Sequence, residues 1–288
     1  IFATSVVCAT LIKKDGNNDQ KEEYLKKIAS GEITMSFALE EGPRHKPFSI
    51  DLEAKKDGDN FILNGKKNFV IDGGFSDYII VAAKTSDDED QISLFILDKN
   101  SDGLSILPTV MVDHKNAAHI EFKDVSVPQT NLLGSQNSAK EVIEETLDIS
   151  RAALSAEMLG GALEAFEITL NYLKEREQFG EKIGTFQALQ HRAALMFTEL
   201  ELCKSCVIEA LTAFDEGSND LQRTASLAKS KVGETFFNVS NEGVQMHGGV
   251  GVTDEYDIGL YMKRARVAEQ TFGNTEYHRN RYAELTGY

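Results

Sequence analysis

The stretch Phe122-Lys123-Asp124-Val125-Ser126-Val127-Pro128-Gln129-Thr130-Asn131-Leu132-Leu133-Gly134 divides the chain, because the hydrophobic period changes across it. Upstream, apolar residues fall in short β-like runs: Thr34–Leu39, Phe61–Asn64, Asn68–Ile71, Tyr78–Lys84, Ile92–Leu97 and His119–Phe122. The links between them are turn formers, Asp57-Gly58-Asp59, Asn64-Gly65, Asp72-Gly73-Gly74 and Asp87-Asp88-Glu89-Asp90. Downstream the period becomes 3.6 and stays there. Ser138–Lys174 predicts one helix about 55 Å long at 1.5 Å per residue. Further helices are expected over Thr185–Glu216, Asp220–Gln245, Glu255–Ala268 and Thr275–Leu285, with Asp220 as an N-cap and Gly217 closing the helix before it. The pattern predicts an α+β multidomain fold. An antiparallel β barrel or sandwich over 33–130 feeds an up-and-down bundle of four to five helices over 131–288.

Residues 1–32 read as helical, broken at Asp15-Gly16-Asn17-Asn18 and closed by Ser30-Gly31. Residue 1 is not Met and already reads as mid-helix, so an N-terminal piece is expected to be absent. The 288 residues carry 46 acids against 30 bases, a net charge of −16. A body this negative repels phosphate backbones and anionic lipid, which argues against nucleic-acid and membrane-surface roles. It also means that any anionic ligand needs a local cluster of donors. No stretch approaches the roughly 20 apolar residues of a membrane helix. Three cysteines, Cys8, Cys203 and Cys206, suit a reducing, cytoplasmic setting. Cys203-x-x-Cys206 has no second pair, and Cys203 continues the helical stripe Phe186, Leu189, Ala193, Met196, Leu200, Val207, which predicts core packing and no metal.

Two loops between helices could carry chemistry. Arg176-Glu177-Gln178-Phe179-Gly180 offers a guanidinium, an amide and a stacking ring for an anion; it reads equally as a helix C-cap with Gly180 left-handed. Gln245-Met246-His247-Gly248-Gly249-Val250-Gly251-Val252-Thr253 exposes backbone N–H groups that a pyrophosphate could approach; it reads also as a plain glycine turn. It is not the dinucleotide fingerprint GxGxxG, which follows a strand. His247 and His278 have no partner at ligand spacing and read as packed or capping.

Taken together, these segments resemble the acyl-CoA dehydrogenase family over nearly the whole chain. The likeness runs through Ile28-Ala29-Ser30-Gly31, Phe37-Ala38-Leu39-Glu40-Glu41, Leu63-Asn64-Gly65-Lys66-Lys67, Phe122 to Pro128, Arg176 to Gly180, Gln187 to His191 and Gln245 to Thr253. It ends in Tyr261 and Arg264-Ala265-Arg266. The resemblance implies an FAD flavoprotein that oxidises an acyl-CoA thioester to its 2,3-enoyl form. A carboxylate takes the α proton and the β hydrogen leaves as hydride to the flavin. By position, Arg176, Gln178 and Phe179 would contact the FAD of a neighbouring subunit, and Gln245, Gly248 and Gly249 would face its pyrophosphate. Thr275 would add a further FAD contact. Arg151 and Gly273 would lie on the substrate side, the Gly273 amide polarising the thioester carbonyl. The shared site implies a homodimer or tetramer, or a heterotetramer with a related chain, and electron-transferring flavoprotein as electron acceptor.

The sequence departs from the family at the reacting groups. The positions where the family carries its catalytic Glu read Gly273 and Ser150, neither a competent base unaided. Glu157, two turns after Ser150, would lie about 10 Å away by helical rise. On the flavin side Glu40 stands for a ring-bonding hydroxyl, and Phe69-Val70-Ile71 lacks the hydroxyl expected near N5. These departures resemble steroid-degrading members that assemble as heterotetramers with a base-deficient chain. Two readings stay open: an active subunit, or a catalytically silent partner.

Overall fold

A computed structural model of the chain describes residues 2–86 and 91–288. The expected turn at Asp87-Asp88-Glu89-Asp90 lies outside the described residues. The chain forms two compact units, Ile1–Leu147 and Asp148–Tyr288.

The first unit opens with helical segments Ala3–Cys8 and Ala9–Asp15. After Gly16 an Asn17/Gln20 capping box restarts the helix, which ends at Ser30 with Gly31 left-handed at φ 75°. The Thr4 hydroxyl ties this segment to the sheet, donating to Met35 O and accepting from Met35 N, each at 3.0 Å. The strands are β1 (Met35–Ala38), β2 (Glu53–Asp57), β3 (Asn60–Ile71), β4 (Tyr78–Lys84), β5 (Ile92–Asp98), β6 (Leu104–Val110), β7 (Asn116–Pro128) and β8 (Leu132–Leu133). Their order is β6-β7-β3-β2-β4-β5-β8, with β1 also on β4. The sheet is mixed, not purely antiparallel as expected: β1 and β2 both pair parallel with β4. The reason is connectivity, since the β2–β3 hairpin intervenes between β1 and β4 and lets β1 return beside β4 in the same direction. Asn64-Gly65 is not a turn either. It is a bulge inside β3, because the Asn64 amide and Asp124 exchange hydrogen bonds across to β7 at 3.0 and 2.9 Å. Strands β4 and β5 hold the core, with Ile79–Ala83 and Ile92–Leu97 fully or almost fully buried.

The second unit is helical. Its long helices are Ala139–Glu175, which begins in the first unit, Gln187–Asp215 and Leu221–His247. Two shorter ones follow, Ile258–Gln270 and Thr275–Leu285. The third long helix is the hub, burying Ala225, Ala228, Val232, Phe236 and Val239. Small residues permit the close approach: a methyl added at Gly161 would meet the Phe236 ring at 2.8 Å. Gly217 closes the second helix left-handed at φ 62°, as expected. Asp220 stands at the N-cap of the third, as expected, although its carboxylate bonds no backbone N–H of that turn and pairs with Arg223. Cys203 is buried, and Cys206 packs on the Ala152–Ala210–Ala225–Ala228 cluster; burial pushes both thiols up. No described helix is long and apolar enough to cross a membrane, and no described His, Cys, Asp and Glu group in threes as metal ligands.

Candidate functional site

The first bundle helix stops at Glu175, and Arg176–Gly180 is not a helix C-cap. Glu177–Gln178 and Glu181–Lys182 pair as a two-stranded hairpin, with Phe179 (φ 57°) and Gly180 (φ 85°) at its tip. Both central residues at positive φ match a type I′ turn, which usually takes Asn-Gly. A phenylalanine there holds a costly backbone conformation and leaves its ring 92% exposed. Arg176 is exposed, and among the described residues its guanidinium has no partner. The Gln178 amide donates to the adjacent Glu177 carbonyl, at 2.7 Å.

The third long helix stops at His247 because Gly248 turns to φ 64°, ψ −142°, a conformation open essentially to glycine. Gln245, Gly248 and Gly249 are exposed. A methyl built on Gly248 or Gly249 would meet nothing within 4 Å, whereas one on Gly251 would strike the Val244 carbonyl at 2.6 Å. The first two glycines therefore line open space and the third serves packing. His247 is packed, as expected. Nδ1 lies 2.7 Å from the Gly243 carbonyl and so carries the proton, and the ring stacks on Tyr172 at 4.2 Å. Burial pushes its pKa down, so the ring is neutral near pH 7.

The segment Phe272–Thr275 is gripped through its backbone. Phe272 (φ 57°) offers its carbonyl to Arg151 Nε at 3.2 Å and lies 3.0 Å from His278 Nε2. The Gly273 carbonyl accepts from Lys229 Nζ at 3.0 Å; the same ammonium reaches Ala268 O at 3.0 Å and Glu269 O at 2.9 Å. Arg151, expected on the substrate side, is fully buried and bonds Asp148 at 2.8 Å, while Arg281 clamps the same carboxylate with two bonds of 2.7 and 2.8 Å. That burial sets Arg151 to hold the protein's own backbone. Ser150 is also buried. Glu157 is tied to Arg264 at 2.6 Å. Thr275 starts the last helix, its N–H donating to the nearly buried Glu269 carboxylate at 2.9 Å. Sequence reasoning missed Tyr172, Lys229 and Glu269. Lys229 and Glu269 sit among helix-forming neighbours with no local signal, while Tyr172, four residues before Arg176, stood at motif spacing.

In the first unit Glu40, expected against a flavin ring, is bound by His45 and by the Lys46 N–H at 3.2 Å. Its neighbour Glu41 accepts from Asp51 N (2.7 Å), Leu52 N (3.1 Å) and the fully buried Lys67 (2.6 Å), pinning the 41–52 loop.

The architecture is thus a β domain followed in sequence by a long-helix bundle, with an arginine–aromatic hairpin after its first long helix and an open glycine turn after its third. The model "Acyl-CoA dehydrogenase, middle domain" matches residues 41–125, and "Acyl-CoA dehydrogenase, C-terminal domain" matches residues 140–286. The chain belongs to the acyl-CoA dehydrogenase family, whose members are FAD-dependent oxidoreductases. It is 33% identical over 285 residues to the mitochondrial isovaleryl-CoA dehydrogenase of Pongo abelii, covering 96% of this chain and 67% of that one. It is 34% identical over 261 residues to the caffeyl-CoA reductase-Etf complex subunit CarC of Acetobacterium woodii, covering 88% and 68%. A structure titled Tcur3481-Tcur3483 steroid ACAD G363A variant superposes with a TM-score of 0.87 at 32% identity, covering 99% of this chain and 75% of that one.

Proposed function

We propose that this chain is a subunit of an acyl-CoA dehydrogenase that oxidises the α,β bond of an acyl-CoA thioester, with FAD held at a site shared between subunits. The observation that carries the shared site is the hairpin tip: an aromatic ring 92% exposed on a strained backbone, beside an exposed arginine with no partner among the described residues. Exposed apolar area and an unmatched charge both favour burial against something outside the chain. The residues fit FAD, since Gly248 and Gly249 leave room for a pyrophosphate where any side chain would project. Arg176 and Gln178 supply the donors that a net charge of −16 otherwise denies an anion. When bound, FAD supplies the hydride acceptor. Thr275 would hold the last helix's start beside it, and the Gly273 N–H would polarise the thioester carbonyl.

At the two positions where the family carries its base, this chain has no carboxylate for the α proton. Gly273 and Ser150 stand at the usual base positions, and the nearby Glu157 and Glu269 are held by Arg264 and by Thr275 N–H. The same facts favour a second reading, a catalytically silent subunit whose related partner carries the base, as a heterotetramer; a homodimer or tetramer is the alternative assembly. The kinship with an Etf-complex subunit supports electron-transferring flavoprotein as acceptor, and three free thiols support a cytoplasmic setting. The test is to purify the chain alone and with a related subunit, then record visible spectra before and after anaerobic acyl-CoA. Flavin that bleaches supports the reading; preparations colourless in both forms, even after FAD is added, overturn it. Gly249→Ala should leave unfolding free energy within about 0.5 kcal/mol, because its Cβ meets nothing, while lowering flavin content.

A further inference from the structure

We propose that Tyr172 is a positioning residue that fixes the spacing between the Arg176–Gly180 hairpin and the Gly248–Gly249 turn, so that both meet one dinucleotide as a preassembled lip. The inference rests on the FAD reading above. Its basis is that one side chain and its own backbone reach both loops. The Tyr172 carbonyl accepts from Arg176 N–H at 2.9 Å, and the Arg176 carbonyl in turn accepts from Ile183 N–H at 2.9 Å, so the hairpin hangs from this turn of helix. The Tyr172 hydroxyl donates to the His247 carbonyl at 3.1 Å, one residue before Gly248.

The ring is held from two sides. It stacks on His247 at 24° and 4.2 Å, and Tyr256 meets both rings edge-on, at 5.3 Å to Tyr172 and 5.2 Å to His247. His247 is locked in turn by its Nδ1–H bond to Gly243. Its Nε2 is buried without a partner among the described residues, a polar loss that a site kept for packing alone would avoid by carrying an apolar ring. The hydroxyl adds a side-chain bond to the last carbonyl of the third helix, which is also the N-cap carbonyl of the 3-10 turn Gly248–Val252. A fixed lip meets its ligand without first ordering two loops, and affinity gains by that saved ordering.

Tyr172→Phe keeps the stack and removes only the hydroxyl, and the loss of one such bond translates to about five- to tenfold in affinity. The experiment titrates FAD into the apo assembly by flavin fluorescence, for wild type and Tyr172→Phe, with melting temperature measured on the apo proteins. FAD affinity falls about five- to tenfold in the folded variant, beyond what any change in melting temperature accounts for. A double-variant cycle with Arg176→Ala and Gly249→Ala adds a readout that a packing role leaves unmoved. In the wild-type background the combined loss departs from the product of the single losses by threefold or more, and in Tyr172→Phe it equals that product. Equal FAD affinity for wild type and Tyr172→Phe, or the product rule in both backgrounds, sinks this inference while leaving the FAD reading intact. Failure of the wild-type assembly to bind FAD sinks both.

Discussion

Asp148 shows how a single carboxylate governs the segment that follows the fourth bundle helix. It is 1% exposed and accepts from Arg151 and, through both oxygens, from Arg281. Held this way, Arg151 directs its Nε to the Phe272 carbonyl. Asp148→Asn keeps the shape but leaves the fully buried Arg151 and the partly buried Arg281 with their shared counter-charge gone. Breaking a buried pair of this kind costs about 3–5 kcal/mol. Urea unfolding followed by circular dichroism should therefore report a loss near that size, and a loss below about 1 kcal/mol would refute the arrangement. The contacts of Arg151 with Asp148 and the Phe272 carbonyl were not legible in the sequence. The Asp148 partner lies one helical turn away, but Arg281 comes from 133 residues further on, and only folding brings the three together. The candidate loops themselves were legible because glycines and the Arg-x-Gln-Phe-Gly order carry local backbone requirements.

At the scale of elements, the Glu177–Lys182 hairpin holds strain that the fold alone does not require. Phe179 occupies a left-handed conformation that disfavours an L side chain by about 1–2 kcal/mol. Phe179→Asn installs the residue that this turn type prefers. The expected outcome is a melting temperature unchanged or raised by a degree or two, slower amide exchange across Glu177–Lys182, and reduced flavin content in the assembly. Reduced thermal stability instead would mean that the ring serves this chain's own packing. The long helices were legible from their 3.6 period, as were β4 and β5, whose apolar runs are buried. Strand β2 (Glu-Ala-Lys-Lys-Asp) was missed because it shows no apolar alternation, and the largely exposed edge strand β6 because Pro108 interrupts its run. The Asn64-Gly65 pair misled for the opposite reason, since a strong turn signal was overridden by hydrogen bonds to Asp124 from a distant strand.

Across the whole molecule, a strongly acidic surface encloses buried lysines, one in each unit. Lys67 sits against Glu41 and the Leu39 carbonyl, and Lys229 against three carbonyls. Burial outweighs these partners and lowers Lys67 from 10.5 to about 8 and Lys229 to about 7. The unfolded chain keeps both protons up to about pH 10.5, so above the folded values the unfolded state binds more protons. Each lysine thus adds stability as pH rises, Lys229 from about 7 and Lys67 from about 8, and the contribution disappears as pH falls back through those values. The slope is at most about 1.4 kcal/mol per pH unit per group. Accumulating negative charge opposes it, so the comparison must be made between proteins at the same pH. With no tryptophan in the chain, hydrogen exchange read by mass spectrometry reports each unit separately. Between pH 7 and 9.5 the opening free energy of bundle amides should rise more steeply in wild type than in Lys229→Met, with the β-unit amides indifferent to that substitution. Lys67→Met should flatten the β-unit profile from pH 8 upward and leave the bundle unchanged. Parallel pH profiles for wild type and Lys229→Met in the bundle would show that the Lys229 ammonium keeps its proton when buried, its three carbonyls outweighing the lost hydration.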